Sequence, residues 1–438
     1  MILQSEHARS FIDGLENLDK TIAIQATGWL KEFRLKNLFR FNGLGFPTVK
    51  DEEWKYTNIE PLLTQQYHSA LSPQAIEADP LKTYLNCAEL NLVFINGAFS
   101  ANLSNLRGLP KGAIVSTLQE AWPLQRADIE NILKKYNPAQ GTFFTALNLA
   151  IAGNGAFIKI TDNARVEKLI HIIHLTSTQE QNTFLCPQTM IIIGKSGAAS
   201  ILETHISFSN DRVYFANALT DIHLAENAIL NYHKAQSESL KAFHIGTTRV
   251  WQERDSNFNG FSFMVGGNIT RNNLDVILNG EGASARLNGL YCVNDTQLVD
   301  NHSTVDHRQA NGTSNQLYKG VLNGASRAVF NGKIFVKPIA QKTNSYQLNK
   351  NLLLGKEARV DTKPQLEIGA DDVKCTHGAT IGQLNEDEIF YLQSRCIARS
   401  KAVKMLSEGF VGDIINTIPH ESVQSKLNTL LVPTMAAF

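Results

Sequence analysis

The spacing of apolar positions changes character twice along the chain. Up to about Lys55 apolar residues recur at helical intervals, in SFIDGLENL and in WLKEFRLKNLF, and GLGFP (Gly43 to Pro47) predicts the stop. LNLVFING (Leu90 to Gly97) has the pattern of a strand, and ADIENILKKY (Ala127 to Tyr136) and FFTALNLAIA (Phe143 to Ala152) of two more helices. From about Gly153 to Gly369 almost nothing has a helical period. Short β-branched runs alternate there with Gly and Asn, as in TMIIIGKSGAASILETHISF. That predicts strands of about four to seven residues between close-set turns. LNGEGASARLNGLYCV, from Leu278, and LNGASRAVFNGKIFV, from Leu322, resemble each other at an offset of 44 residues. Half that offset, about 22, suits one coil of a solenoid. A parallel β-helix is therefore the expected core, in preference to a β-sandwich.

The helical period returns at Asn385. Asn385 with Glu388 has the spacing of a capping box, and Glu386 and Asp387 suit the positive end of a helix. Ile389, Leu392, Cys396, Val403, Leu406 and Phe410 form one apolar stripe, with Gly409 as the expected stop. Arg395, Arg399, Lys401 and Lys404 make the rest of that surface basic, and a last short helix, SVQSKLNTLLV, follows Pro419. This terminal region is too small for its own core. It is expected to pack on the solenoid end or to serve a partner.

The chain has 438 residues, enough for two or three domains. Acids and bases balance at 41 each, so no net field favours nucleic acid or an anionic membrane. No apolar run is long enough for a membrane span. The N-terminus lacks a charged-then-apolar signal pattern, and the five scattered cysteines form no CxxC pair. Both observations predict a reducing, cytoplasmic setting without disulfides.

Several segments could carry chemistry. GKS at Gly194 to Ser196 lacks the first glycine of a phosphate loop, since Thr189 stands there. GEGASA (Gly280 to Ala285) matches a dinucleotide fingerprint but leads into a strand, so nucleotide binding is not expected. DNHSTVDHRQ offers Asp300, His302, Asp306 and His307 as metal ligands, or as polar residues of solenoid turns. DEEWKYTNI (Asp51 to Ile59) has the composition of an exposed, interacting loop. Cys375 and His377 would share one face of a strand. That is half of a soft-metal site, whose remaining ligands must come from elsewhere, or a thiol activated by the ring. Adjacent Asp371 and Asp372 keep a free-standing, carbohydrate-active β-helix enzyme in view.

EWKYT (Glu53 to Thr57), AVFNGKIFV with AQKTNSYQLNKNLLL behind it, KPQLEIGADDVKCTHGATIGQL and FYLQSRCIARSKAVKMLSEGF together resemble the SufB/SufD family of the Suf iron–sulfur cluster assembly system. SufB members typically carry His-Glu-Ala where this chain has His377-Gly378-Ala379, so the resemblance is to the SufD side. It implies a right-handed parallel β-helix over 153–384, flanked by helical regions at 1–152 and 385–438. It also implies a non-catalytic scaffold that pairs with SufB through the β-helix and binds the SufC ATPase through the C-terminal helices. Leu406, Phe410 and Arg395 are the expected contact residues there. Cys375 and His377 become transient ligands of an iron–sulfur cluster shared with SufB, with no cofactor held permanently. ATP hydrolysis in SufC would drive assembly and delivery to carriers, and the isolated chain could form a homodimer.

Overall fold

The structure, a computed structural model, describes residues 28–69, 81–136, 141–151, 153–177 and 182–436. SFIDGLENL lies outside the described residues. The centre is a parallel β-solenoid of about eight turns, each contributing one strand to each of two facing sheets. We number these strands in chain order. The first sheet holds β1 (Gly155–Ile160), β3 (Gln188–Ile193), β5 (Tyr214–Leu224), β7 (Phe243–Gln252), β9 (Ile269–Leu278), β11 (Leu298–His307), β13 (Arg327–Val336) and β15 (Arg359–Ile368). The second holds β2 (Ile170–Thr176), β4 (Ala198–Ser207), β6 (Ile229–Glu238), β8 (Asn257–Gly266), β10 (Ser284–Val293), β12 (Thr313–Leu322), β14 (Asn344–Leu353) and β16 (Lys374–Gly382).

The coil is longer than the sequence repeat indicates. Ile269 pairs with Leu298, an advance of 29 residues, rather than about 22. The two similar segments end in β10 and β13, on opposite sheets, so their offset spans one and a half coils. The strands are longer than expected too, mostly 10 residues. The mid-strand glycines are the reason. Gly289 and Gly332 do not turn the chain; they clear space inside it. A Cβ at Gly289 would fall 2.2 Å from the Tyr318 ring, and one at Gly332 would fall 2.0 Å from the Gln347 amide.

Alternate residues of each strand fill the lumen. Ile172, Ile191, Ile201, Leu230, Val276 and Leu287 are all fully enclosed there, each stabilising the fold by roughly 1.5–3 kcal/mol relative to exposure. One corner of the solenoid is a stacked column of left-handed residues. Ser196, Asn227, Asp255, Gly282, Asn311 and Lys342 all have positive φ. Their N–H groups donate to carbonyls one coil further on, as Asn227 does to Arg254 and Lys342 to Asp372. GKS and GEGASA are parts of this corner, and strands follow both.

Two layers cover the outer faces. Against the first sheet lie α1 (Gly28–Leu44), α2 (Leu118–Leu124), α3 (Arg126–Lys135) and α4 (Phe143–Ala150). Phe41, Trp54 and Phe144 pack there on Phe215, Phe243 and Ile269. Against the second sheet lie α6 (Arg399–Ile415) and α7 (Glu421–Ala436), preceded by α5 (Glu386–Ser394). Val411, Ile414, Ile415 and Leu427 pack on Phe261, Phe263, Leu290 and Val321. The C-terminal region therefore lies along the solenoid's flank, not on its end.

Three local readings of that region change. Asn385 caps α5 by accepting from the Asp387 N–H, and no reciprocal bond from Glu388 completes a capping box. The helix breaks at Cys396, which adopts a left-handed φ of 62°, so the stripe is divided between α5 and α6. Gly409 does not stop α6: an exposed glycine costs a helix about 1 kcal/mol, and the packing of Val411, Ile414 and Ile415 outweighs that.

The two ends of the solenoid differ. At the first, the sheets finish in short strands, Ala113–Thr117 antiparallel to β1, and Leu90–Ile95 beside β2 with antiparallel Ala98–Phe99. At the other, β15 and β16 are the last strands, and among the described residues nothing pairs with their outer edges.

Candidate functional site

Cys375 and His377 sit in β16, at that open end. Register places Cys375 beside Ser345 and His377 beside Gln347. Ser345 and Gln347 are buried lumen residues, so the Cys375 and His377 side chains share the lumen side of the last coil. Cys375 is half-buried and packs on the lumen core with Leu366 and Val373, while His377 is exposed because, among the described residues, no further coil covers it. Burial pushes the Cys375 thiol up, so it is protonated at neutral pH rather than an activated thiolate. A soft metal or a cluster would have to displace that proton, and the two side chains supply only half of a four-ligand shell.

Polar lumen groups lead up to the pair. His307 lies 2.9 Å from the Ser314 hydroxyl, which lies 2.7 Å from Ser345, the neighbour of Cys375. Gln347, beside His377, donates to Gln316 at 2.6 Å, and Gln316 donates to Ser303 at 2.5 Å.

Asp300, His302, Asp306 and His307 do not converge. All belong to β11, but His307 faces the lumen while the other three face outward. Asp306 pairs with Arg308 at 2.7 Å. Asp300 and His302 instead anchor the segment Asp51 to Ile59. The Thr57 hydroxyl donates to Asp300 at 2.5 Å, Arg271 contacts the same carboxylate at 2.8 Å, and His302 lies 3.0 Å from it. Burial works against the Asp300 charge, but Arg271 and His302 outweigh it and hold the carboxyl at about 2. Glu53 is held at about 2 as well, first by His302 and then by Lys333. EWKYT is thus a strap pinned to the solenoid: Trp54 and Thr57 are buried against it, while Glu53 and Lys55 keep the exposed position expected of a loop.

Of the expected partner contacts, Arg395 is exposed and bonds the Tyr391 hydroxyl at 3.4 Å. Leu406 and Phe410 are half-buried. The Lys319 ammonium lies 4.6 Å from the Phe410 ring and donates to its carbonyl, so part of that stripe docks α6 onto β12. Phe390 and Tyr391, exposed by 72% and 57%, present a larger free aromatic surface on α5. Asp371 and Asp372 lie in an exposed bend before β16.

Fold and site define a two-sheet parallel β-solenoid with a thiol and an imidazole at its open end. Comparison with known proteins gives the family. Residues 174–410 match the family model described as SUF system FeS cluster assembly, SufBD core domain, and residues 5–172 match the SufBD protein N-terminal region. The chain is 33% identical to an iron–sulfur cluster assembly SufBD family protein of Synechocystis, covering 88% of this chain and 86% of that one. It is 32% identical to the iron–sulfur cluster assembly protein SufD of Escherichia coli, over 87% of this chain and 88% of the relative. Over 93% of its length it is 23% identical to SufD of Bacillus subtilis. The chain belongs to the SufBD family.

Proposed function

We propose that this chain is a SufD-type scaffold subunit of an iron–sulfur cluster assembly complex, without catalytic activity of its own. The observation that carries the reading is the position of Cys375 and His377, side by side at the uncovered end of the solenoid. A second family member of SufB type, docking on the free edges of β15 and β16, would supply the ligands that this half-site lacks. The cluster is then a transient cargo, assembled across the junction and passed to carriers, not a resident cofactor. The SufC ATPase is the expected partner of the C-terminal helices, through Arg395 and the parts of Leu406 and Phe410 that stay accessible, with Phe390 and Tyr391 beside them.

The test is co-expression of the full chain with a SufB-type protein and a SufC-type ATPase, followed by iron and acid-labile sulfide analysis of the purified complex. Joint replacement Cys375→Ala and His377→Ala is expected to leave the complex assembled and to lower its cluster content several-fold. Unchanged cluster content would remove the ligand role. Failure to recover either partner with the wild-type chain would remove the scaffold reading itself.

A further inference from the structure

The first coils of the solenoid enclose a polar group that neither the strap nor the open end uses. His174 projects inward from β2, and Glu203 and His205 project inward from β4. Among the described residues these three form the one group of metal-binding side chains whose ligand atoms all fall within 4.8 Å of one another, and all three are buried.

Their hydrogen bonding is incomplete in an informative way. The Glu203 carboxylate accepts from three hydroxyls: Thr189 at 2.9 Å, Thr220 at 3.0 Å and Tyr232 at 2.5 Å. It is therefore fixed in place, and Oε1 accepts only the Thr189 bond of the three. His174 Nε2 lies 3.3 Å from that oxygen and His205 Nε2 lies 3.5 Å from it, yet neither nitrogen makes a hydrogen bond. The imidazole rings stack at 4.8 Å, with Phe94 stacked 5.3 Å from His174 on the side of the short end strands.

Two unpartnered nitrogens facing one carboxylate oxygen are poor hydrogen bonding but good coordination geometry. Zinc holds nitrogen and oxygen ligands at about 2.0–2.1 Å, which puts tetrahedral ligands about 3.4 Å apart. The observed spacings of 3.3 and 3.5 Å fit two edges of such a tetrahedron. Two imidazoles and a carboxylate are a borderline donor set, suited to zinc or ferrous iron rather than to calcium or magnesium. A buried carboxylate also needs a positive neighbour. Beyond His205 stands His244, whose Nδ1 lies 2.7 Å from Glu238, a carboxylate placed to orient a further imidazole.

We propose that His174, Glu203 and His205 form a structural site for one divalent first-row transition ion, of the zinc or ferrous class, inside the solenoid. The ion joins β2 to β4 and so staples the first coil to the second. Its role is structural because Phe94 and the surrounding coils enclose the group. The competing source of positive charge is Lys234, whose buried ammonium faces the same region without a hydrogen-bond partner.

The test uses the full chain carrying Cys375→Ala and His377→Ala, so that the open end cannot contribute. The protein is produced in medium supplemented with cobalt(II), then analysed by mass spectrometry of metals and by visible absorption. The expected result is about one cobalt per chain, with the absorption of a four-coordinate nitrogen and oxygen site that external chelator removes slowly. Glu203→Gln and His205→Gln should abolish it. Because those variants could fold poorly, X-ray absorption of the cobalt protein with all three residues intact provides a second reading: imidazole scattering is expected and sulfur ligation is not. A chain that folds with less than about a tenth of an equivalent of metal overturns the proposal and leaves Lys234 as the counter-charge. A spectrum unchanged by Glu203→Gln in soluble, folded protein overturns it equally.

Discussion

The guanidinium of Arg271 lies 3.8 Å from the centre of the Trp54 ring, and the same group bonds Asp300 at 2.8 Å and the Glu53 carbonyl at 2.7 Å. One buried cation thus joins the strap to β9 and β11 through stacking, an ion pair and a backbone bond. Trp54→Ala is expected to cost about 3–5 kcal/mol, through the cavity and the lost stacking. Denaturant unfolding would measure it, and early proteolytic cleavage near Thr48 to Ile59 would locate it. Trp54→Phe should lose distinctly less.

Acid should release the same strap. Glu53 and Asp300 are both held at about 2 in the folded chain, below the usual carboxylate values. The folded state therefore holds fewer protons than the unfolded one across that interval. The stabilisation is complete above about pH 4–5 and is lost as pH falls towards about 2. Trp54 fluorescence against pH should follow this loss, and Asp300→Asn should flatten the profile.

Gly320 should not tolerate a side chain. Its Cβ would fall 2.1 Å from the Tyr291 ring, whose hydroxyl bonds Asn351 at 2.5 Å inside the lumen. Gly320→Ala is expected to cost at least about 1–3 kcal/mol as an overpacked core site. A thermal melt of the variant checks this. Gly382→Ala, with open space at its Cβ position, is the control and should melt with the wild type.

The cysteines should react in a fixed order. Cys396 is exposed, Cys375 is half-buried with a raised pKa, and burial also raises Cys186 and Cys292. Iodoacetamide at neutral pH should label Cys396 first, then Cys375, and leave Cys186 and Cys292 untouched until unfolding. Peptide mapping over time reads the order. Early labelling of Cys292 would contradict the packing of the second sheet.

Much of this architecture was legible in the sequence. β-branched runs marked the solenoid, and WLKEFRLKNLF, ADIENILKKY and FFTALNLAIA fall on α1, α3 and α4. Cys375 and His377 share a face because strand periodicity requires it. Coil length was misread because Gly289 and Gly332 are close-approach residues, and glycine in an unplaced sequence reads as a turn. The strap was missed because Asp51 to Ile59 has the composition of a loop, and its partner Asp300 lies far along the chain. The His174, Glu203 and His205 group had one local signal: Glu203 and His205 stand two residues apart in a strand and so share a face with Ile201. What places His174 beside them is coil stacking, which no local pattern specifies.

The contrast between the two ends of the solenoid sets a valence. Among the described residues, strands of 10 and 9 residues lie unpaired on their outer edges at one end, while the other finishes in strands of five and two residues, two of its pairings being antiparallel. A rod adhesive at both ends would polymerise like any exposed parallel sheet. With a single free end, edge-to-edge pairing stops once that end is occupied. Whatever docks on those edges ends the stack of coils instead of extending it into a fibre.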